Sequence, residues 1–191
     1  MNIIERAKQI ILKPKEEWVV IDQESTSAKD LVTGYLMPLA IIPTLASLIG
    51  YGFFFKFHSF GFGIKYAILY FITFVGGALL TAWVIDALAP SFGSTRDFRK
   101  ALQLVVYSYT PMMVAGVVMI FPSLSPVMLL AGLYSLYLLY LGFKPLMKTP
   151  DDKLMTYFVV SLVVLVVVYF VISTILTRLI IGNPLSAYGL Q

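Results

Sequence analysis

Residues 155–181 read MTYFVVSLVVLVVVYFVISTILTRLII, and this run decides the class of fold. Arg178 is its only charged residue, and the run exceeds the roughly 20 apolar residues that cross a bilayer as a helix. Four further apolar runs precede it, at about residues 31–55, 66–89, 101–121 and 127–143. We therefore predict an all-α polytopic membrane protein, a bundle of five transmembrane helices over residues 31–181. Residues 1–30 form a cytoplasmic segment, and residues 182–191 form a short extracytoplasmic tail.

Composition points to the lipid bilayer as the main partner. Hydrophobic residues make up 59% of the chain and charged residues 13%, with a mean hydropathy of +0.88. Soluble domains are nearer half apolar and a quarter charged. The net charge of +4 does not indicate nucleic acid, because the Lys and Arg residues are scattered between apolar runs and not clustered on one face. The chain has no cysteine, which excludes thiolate metal sites, disulfides and cysteine nucleophiles.

The N-terminal residues 2–13 predict a short amphipathic helix. Their apolar residues recur at helical spacing, and Pro14 ends the helix. Trp18 and three apolar neighbours follow. A basic amphipathic helix beside a tryptophan is typical of a segment in the membrane interface. Packing against the protein's own cytoplasmic loops, or against a partner, remains an alternative.

Local signals refine the helices. Ser27 and Asp30 resemble an N-cap before the first span, and Pro38 and Pro43 predict a kink within it. Only Pro122–Pro126 separates the third and fourth spans. These two spans must therefore form a close antiparallel hairpin.

The distribution of positive charge predicts the orientation. Eleven of the fourteen Lys and Arg residues lie in the N-terminal segment, the loop between the second and third spans, and the loop between the fourth and fifth. Such residues are retained on the cytoplasmic side. We expect the N-terminus inside and the C-terminus outside.

Asp86 is the acidic residue that lies within a predicted span. It stands about one turn from the cytoplasmic end of the second span, where it could pair with Arg96 or Arg99. A helix-end ion pair is the simpler interpretation, and a polar site at the mouth of the bundle is the functional one.

A second candidate cluster lies in the third and fourth spans. Pro111 deprives the carbonyl of Tyr107 of its helical donor, and Tyr109 and Thr110 lie beside the expected kink. Tyr134, Tyr137 and Tyr140 recur every three residues on the fourth span. Interhelical hydrogen bonding explains both groups, and a tyrosine-lined groove for a lipid or a partner helix is the alternative.

Several activities are disfavoured by what the chain contains. Coupled transporters need ionisable groups near mid-membrane or paired repeats, and five spans do not divide into equal halves. The single histidine, His58, cannot build a multi-histidine metal site. Asp151 and Asp152 at the head of the fifth span are explained by helix capping. The sequence has no phosphate-binding glycine loop, GxSxG or HExxH motif, so we expect no enzymatic activity and no cofactor.

Four stretches together resemble the Yip1-domain family in its short bacterial form. They are PKEEW (14–18), YLMPLAIIPTLASLIG (35–50), KALQLVVYSYTPMMVAG (100–116) and LYSLYLLYLGFKPLMKTPDDK (133–153). The resemblance implies a five-span membrane protein, here of a bacterial inner membrane. Eukaryotic relatives are associated with Rab-type GTPases and vesicle formation, and carry a D-L-Y-G-P motif after a longer N-terminal region. The corresponding stretch here, Asp30–Tyr35, reads DLVTGY, which argues against a Rab-binding role.

The combined interpretation is a membrane-organising or adaptor protein without enzymatic activity. It would bind protein partners, lipid or a second copy of itself through helix faces. The alternative is a small-molecule, ion or lipid transporter or channel, with a cavity between the kinked first and third spans.

Overall fold

The computed structural model describes residues 2–54 and 59–180 and, within them, is helical without strands. Five helical segments in this part of the chain are long and apolar enough to span a membrane. They are Ala28–Phe54, Phe60–Phe92, Phe98–Ile120, Pro126–Met147 and Asp151–Ile180. The predicted five-helix architecture is therefore confirmed. The predicted last residues of the first and fifth spans, Phe55 and Ile181, lie outside the described residues, as do His58 and the tail.

Two helices precede the first span, where the sequence predicted one. Helix α1 (Ile3–Leu12) ends before Pro14, as expected, but Pro14 then begins α2 (Pro14–Gln23). Proline suits the first position of a helix because its missing N–H would have no helical partner there. Ala7 and Ile10 of α1 and Trp18 and Ile21 of α2 are buried. The N-terminal segment therefore packs against the protein itself.

The first span is a helix with two irregular turns. It comprises α3 (Ala28–Leu31), a π-helical turn (Val32–Leu36), α4 (Met37–Ile49) and a second π-helical turn (Gly50–Phe54). Ser27 caps α3, its Oγ accepting from Asp30 N at 3.1 Å, which confirms the predicted N-cap. Pro38 lies in the first turn of α4 and Pro43 lies inside it. The irregular turn directly before Pro38 accommodates the proline's missing donor.

The remaining helices are longer than their apolar runs. Helix α5 (Phe60–Leu88) begins six residues before the predicted boundary at Tyr66 and continues as a 3₁₀ turn, Ala89–Phe92. Helix α8 (Pro126–Met147) runs past the predicted end at Phe143, and α9 (Asp151–Ile180) starts at the acidic pair. Hydropathy shows where a helix leaves the apolar core of the membrane. The backbone hydrogen bonds of the helix continue past that point, to the residue that caps it.

The third span occupies the centre of the bundle. It consists of α6 (Phe98–Ser108), a break at Tyr109, α7 (Thr110–Ala115) and a 3₁₀ turn (Gly116–Ile120). Residues 101–108 are all buried, because α6 contacts α1, α3, α5 and α8. The fifth span is at the opposite extreme, because only 6% of its apolar stretch is buried. It therefore presents most of its side chains to the surroundings.

One end of the bundle collects the basic loops and will be called the basic end. Thr95 N donates to the carbonyl of Met147 at 2.9 Å, and Ser94 Oγ donates to Thr149 Oγ1 at 2.9 Å. These bonds join the connection between α5 and α6 to the connection between α8 and α9. The hairpin of α1 and α2 meets the same end, where Lys100 Nζ donates to the carbonyl of Asp22 at 2.6 Å.

Candidate functional site

Tyr107, a predicted site residue, lies at the centre of a buried aromatic group. Its ring is fully buried on α6. It contacts Tyr35 edge-on, with ring centroids 4.9 Å apart, and Trp18 at 6.5 Å. Edge-to-face pairs match the positive edge of one ring with the negative face of the other. Tyr107 thus joins the first span and the N-terminal hairpin to the central helix.

A buried arginine lies over this aromatic group. The guanidinium carbon of Arg6 lies 5.5 Å from the centroid of the Tyr107 ring. Its two terminal nitrogens form ion pairs with Glu17 and Glu24, and only 5% of the Arg6 side chain is exposed. A buried cation is tolerated when its charge and its donors are both matched. Arg6, Glu17 and Glu24 will be called the Arg6 triad.

Lys100 fastens the end of α2 to the central helix. Its ammonium group donates to the carbonyls of Asp22 and Glu24, at 2.6 and 3.2 Å. A cation at a helix C-terminus satisfies carbonyls that have no helical donor and interacts favourably with the dipole. The Asp22 carboxylate in turn pairs with Lys148 at 2.5 Å. The hairpin is therefore attached to the third span and to the end of α8.

The predicted kink in the third span forms two hydrogen bonds between helices. The chain leaves the helix at Tyr109, two residues before Pro111. The Tyr109 hydroxyl lies 3.0 Å from Thr81 Oγ1 on α5. Thr110 Oγ1 lies 2.9 Å from the Tyr35 hydroxyl in the first span. The break therefore presents a polar side chain to each of two neighbouring spans.

The tyrosines of the fourth span are separate from this group. The Tyr134 hydroxyl donates to the carbonyl of Ile11, at 2.6 Å, and so satisfies an acceptor at the end of α1. Tyr137 packs its ring 5.8 Å from Tyr134 and is 45% exposed. The predicted tyrosine cluster is thus divided, because Tyr134 contacts the N-terminal hairpin and Tyr137 is exposed.

Asp86 forms the predicted ion pair. Its Oδ2 lies 3.3 Å from Arg96 Nε, with 9% of the Asp86 side chain and 68% of the Arg96 side chain exposed. Its other oxygen is buried without a hydrogen-bond partner among the described residues. The neighbouring Tyr157 hydroxyl donates to the carbonyl of Ile85. Asp86 and Tyr107 therefore have different partners.

Several buried polar atoms of α6 and of the N-terminal hairpin have no partner in the described part of the chain. They are both side-chain polar atoms of Gln103, the Tyr107 and Ser108 hydroxyls, Trp18 Nε1 and Glu24 Oε2. Gln103 is one turn from Tyr107 on α6 and is fully buried. Buried polar groups are normally paired with protein or with water. Within residues 2–54 and 59–180, no group of three His, Cys, Asp or Glu side chains is arranged to hold a metal ion.

Sequence reasoning missed the residues that attach the hairpin. The apolar spacing of residues 2–13 leaves Arg6 outside the apolar side of that helix, and a third span that begins at residue 101 leaves Lys100 in the preceding loop. Glu17 entered the sequence patterns only within the PKEEW stretch, and Trp18 was interpreted as an interfacial residue. A signal was available in the sequence. The segment with a tryptophan beside two glutamates is close in sequence to an arginine in a short amphipathic helix, and the opposite charges allow this segment to fold back onto that helix. Hydropathy alone does not detect such a pairing of charges.

Comparison with known protein families places the chain in a family. The family model of the Yip1 domain matches residues 8–174, which covers most of the chain and includes α2, the central helix and most of the fifth span. Searches of the curated proteins and of the solved structures found no match.

Proposed function

This chain belongs to the Yip1-domain family, and from that premise we propose that it is a membrane-organising or adaptor protein without enzymatic activity. It binds protein partners or lipid through the outer faces of its helices. Its N-terminus lies in the cytoplasm and its C-terminus outside, in a bacterial cell membrane. The five apolar spans make it a multi-pass membrane protein in contact with the bilayer.

The contact between Gly116 and Pro43 carries the proposal. A Cβ atom added to Gly116 would lie 2.5 Å from Cβ of Pro43, so the backbone of the third span packs directly against the proline ring of the first. A Cβ added to Gly50 would lie 2.0 Å from the carbonyl oxygen of Met119. A transport cavity between the two kinked spans would have to open at these contacts. Close packing through small residues is how membrane helices associate stably.

The polar side chains support the same conclusion. Tyr109, Thr110 and Tyr134 bond to neighbouring helices, and Asp86 and Arg6 are in ion pairs. These bonds hold elements together. Catalysis would need two or more titratable groups directed at a common substrate position.

Photocrosslinking in native membranes tests the proposal. A photoreactive residue is placed at Leu133, which is 57% exposed on α8, or at Leu104, which is fully buried. We expect recurring protein or lipid adducts from Leu133 and none from Leu104, identified by mass spectrometry. Solute or ion flux through proteoliposomes of the purified protein, without such adducts, would overturn the proposal.

A transporter is the second candidate, favoured by polar atoms of Gln103, Tyr107 and Ser108 that have no partner among residues 2–54 and 59–180. A hydrated passage would satisfy these groups with water. Because the chain has no cysteine, Ser108→Cys and Thr110→Cys introduce a single thiol at nearly constant volume. A packed bundle leaves both thiols unreactive toward a membrane-impermeant reagent, whereas a passage makes them reactive. The exposed Ser125→Cys is the positive control.

A further inference from the structure

A groove with a basic rim runs between α2 and the end of α8. Its volume is about 430 Å³, and Trp18, Leu141 and Pro145 line its floor. Three lysines surround it: Lys15, Lys144 and Lys148. The groove lies at the basic end of the bundle and is distinct from the buried Tyr107 group, although Trp18 contributes to both.

The exposed side chains of α5 and α8 place this groove at the membrane surface. Exposed apolar residues line α5 from Phe60 to Trp83, a distance of about 35 Å at 1.5 Å per residue. This length matches the roughly 30 Å hydrocarbon core. Trp83 and Tyr140 are exposed toward the basic end of these faces, as expected of aromatic residues at an interface. Lys144 is one turn beyond Tyr140, at the level of the phospholipid headgroups.

The charges of the rim suit an anion. Lys15 is exposed and has no carboxylate partner among the described residues. Lys144 pairs with Asp151 at 2.6 Å, and Lys148 pairs with Asp22 at 2.5 Å, yet 58% and 56% of their side chains remain exposed. Each ammonium group has three donors, so a carboxylate partner leaves donors available for a phosphate oxygen.

The hairpin beside the groove exposes apolar side chains as well. Leu12 is 66% exposed, Val19 56% and Val20 48%, although Ile10, Trp18 and Ile21 on the same two helices are buried. Large apolar side chains that point away from the bundle beside exposed lysines fit the boundary between headgroups and acyl chains. Acyl chains cover these side chains without the need for a protein partner.

We propose that the groove binds an anionic phospholipid. Lys15, Lys144 and Lys148 hold its phosphate and anionic headgroup, and its acyl chain lies along Leu141 and Val19. Basic pockets at the ends of transmembrane helices recognise anionic headgroups by this combination of charge and apolar contact. The inference rests on the proposed function, because it names one lipid class that the outer surface of the bundle binds.

Trp18 is a built-in reporter of this groove. The chain has two tryptophans, so Trp83→Phe leaves Trp18 as the single emitter. The full-length variant is reconstituted in phosphatidylcholine containing increasing fractions of phosphatidylglycerol brominated near the carbonyl end of its acyl chains, since bromine quenches tryptophan on close approach. Brominated phosphatidylcholine provides the neutral comparison. We expect phosphatidylglycerol to quench Trp18 at a severalfold lower mole fraction.

Lys15→Gln isolates the groove from general surface charge. One lysine near an anionic membrane contributes about 1 kcal/mol, so this variant should weaken the preference for phosphatidylglycerol about fivefold. Lys13→Gln is the matched control, because Lys13 is 61% exposed on the same hairpin and pairs with Glu16 but does not line the groove. Equal quenching by the two lipids would overturn the inference, and so would an equal loss in both lysine variants. Crosslinking from Leu133 is a separate readout, so the proposed function can stand if the lipid site fails.

Discussion

At the scale of single residues, Arg6 has the most demanding position in the molecule. Its guanidinium group is buried over an aromatic ring and depends on Glu17 and Glu24 to match its charge. Removing one partner of a buried ion pair leaves an uncompensated charge, which costs more than the pair itself contributes. We therefore expect the triad to contribute more to the attachment of the hairpin than an exposed ion pair would.

Arg6→Ala should release the hairpin from the bundle. It leaves two carboxylates facing Tyr107 without their cation, at a cost of about 3 kcal/mol. In the Trp83→Phe background, Trp18 emission should shift to the red as its ring leaves the contact with Tyr107. Lys8→Ala, an exposed position on the same helix, should leave the emission unchanged. Unchanged emission in Arg6→Ala would show that the remaining contacts, including those of Lys100 and Tyr134, hold the hairpin without the triad.

The Asp86–Arg96 pair should behave asymmetrically. Arg96 is 68% exposed and Asp86 only 9%, so Arg96→Gln leaves a nearly buried carboxylate unpaired, whereas Asp86→Asn removes the buried charge. We expect Asp86→Asn to lower stability by less than about 1 kcal/mol and Arg96→Gln to cost more. Thermal unfolding of the purified protein in detergent measures both. Normal folding of Asp86→Asn with complete loss of crosslinked partners would instead make Asp86 a functional residue.

At the scale of helices, sequence patterns predicted which helices exist better than they predicted where each helix begins and ends. The five spans follow from apolar length, and the Ser27 cap and the break near Pro111 follow from local chemistry. Helix α2 was missed because Pro14 stops one helix and starts the next. The start of α5 was placed too late and the end of α8 too early, because a helix continues through polar residues when a cap or an ion pair lies further on. Lys144 and Asp151 form such a pair.

Glycine substitutions should separate helix contacts from open helix surface. Gly116→Ala places a methyl group against Pro43 at 2.5 Å, and overpacking of this kind costs about 1–3 kcal/mol. Gly76→Ala is the matched control, because nothing lies within 4 Å of its added Cβ and alanine favours the helix by about 1 kcal/mol. Thermal unfolding midpoints should therefore fall in the first variant and hold or rise in the second. A midpoint unchanged by Gly116→Ala would mean that the first and third spans have room to separate.

At the scale of the whole molecule, the candidate site was less predictable than the fold. Residues such as Arg6 and Tyr107, or Tyr134 and Ile11, are about a hundred residues apart or more in the chain, and their contacts exist only after the hairpin has packed on the bundle. Periodicity reports which face of a helix is apolar, but not which helix covers it. Tyr107, Tyr109, Thr110 and Pro111 were predicted together because one kink contains them. Asp86 and Tyr134 turned out to serve other contacts.

Orientation is the property of the whole molecule on which the lipid inference and the adaptor proposal both depend. Thr95 lies at the basic end, Ser123 lies in the connection between the third and fourth spans, and both are exposed. Since the chain has no cysteine, Thr95→Cys and Ser123→Cys each carry one thiol. The excess of Lys and Arg at the basic end favours its retention in the cytoplasm, where the anionic leaflet adds to the attraction. A membrane-impermeant maleimide should therefore label Ser123→Cys in intact cells and Thr95→Cys only after permeabilisation. Labelling of Thr95→Cys in intact cells would invert the topology and place the lysine-lined groove in the outer leaflet.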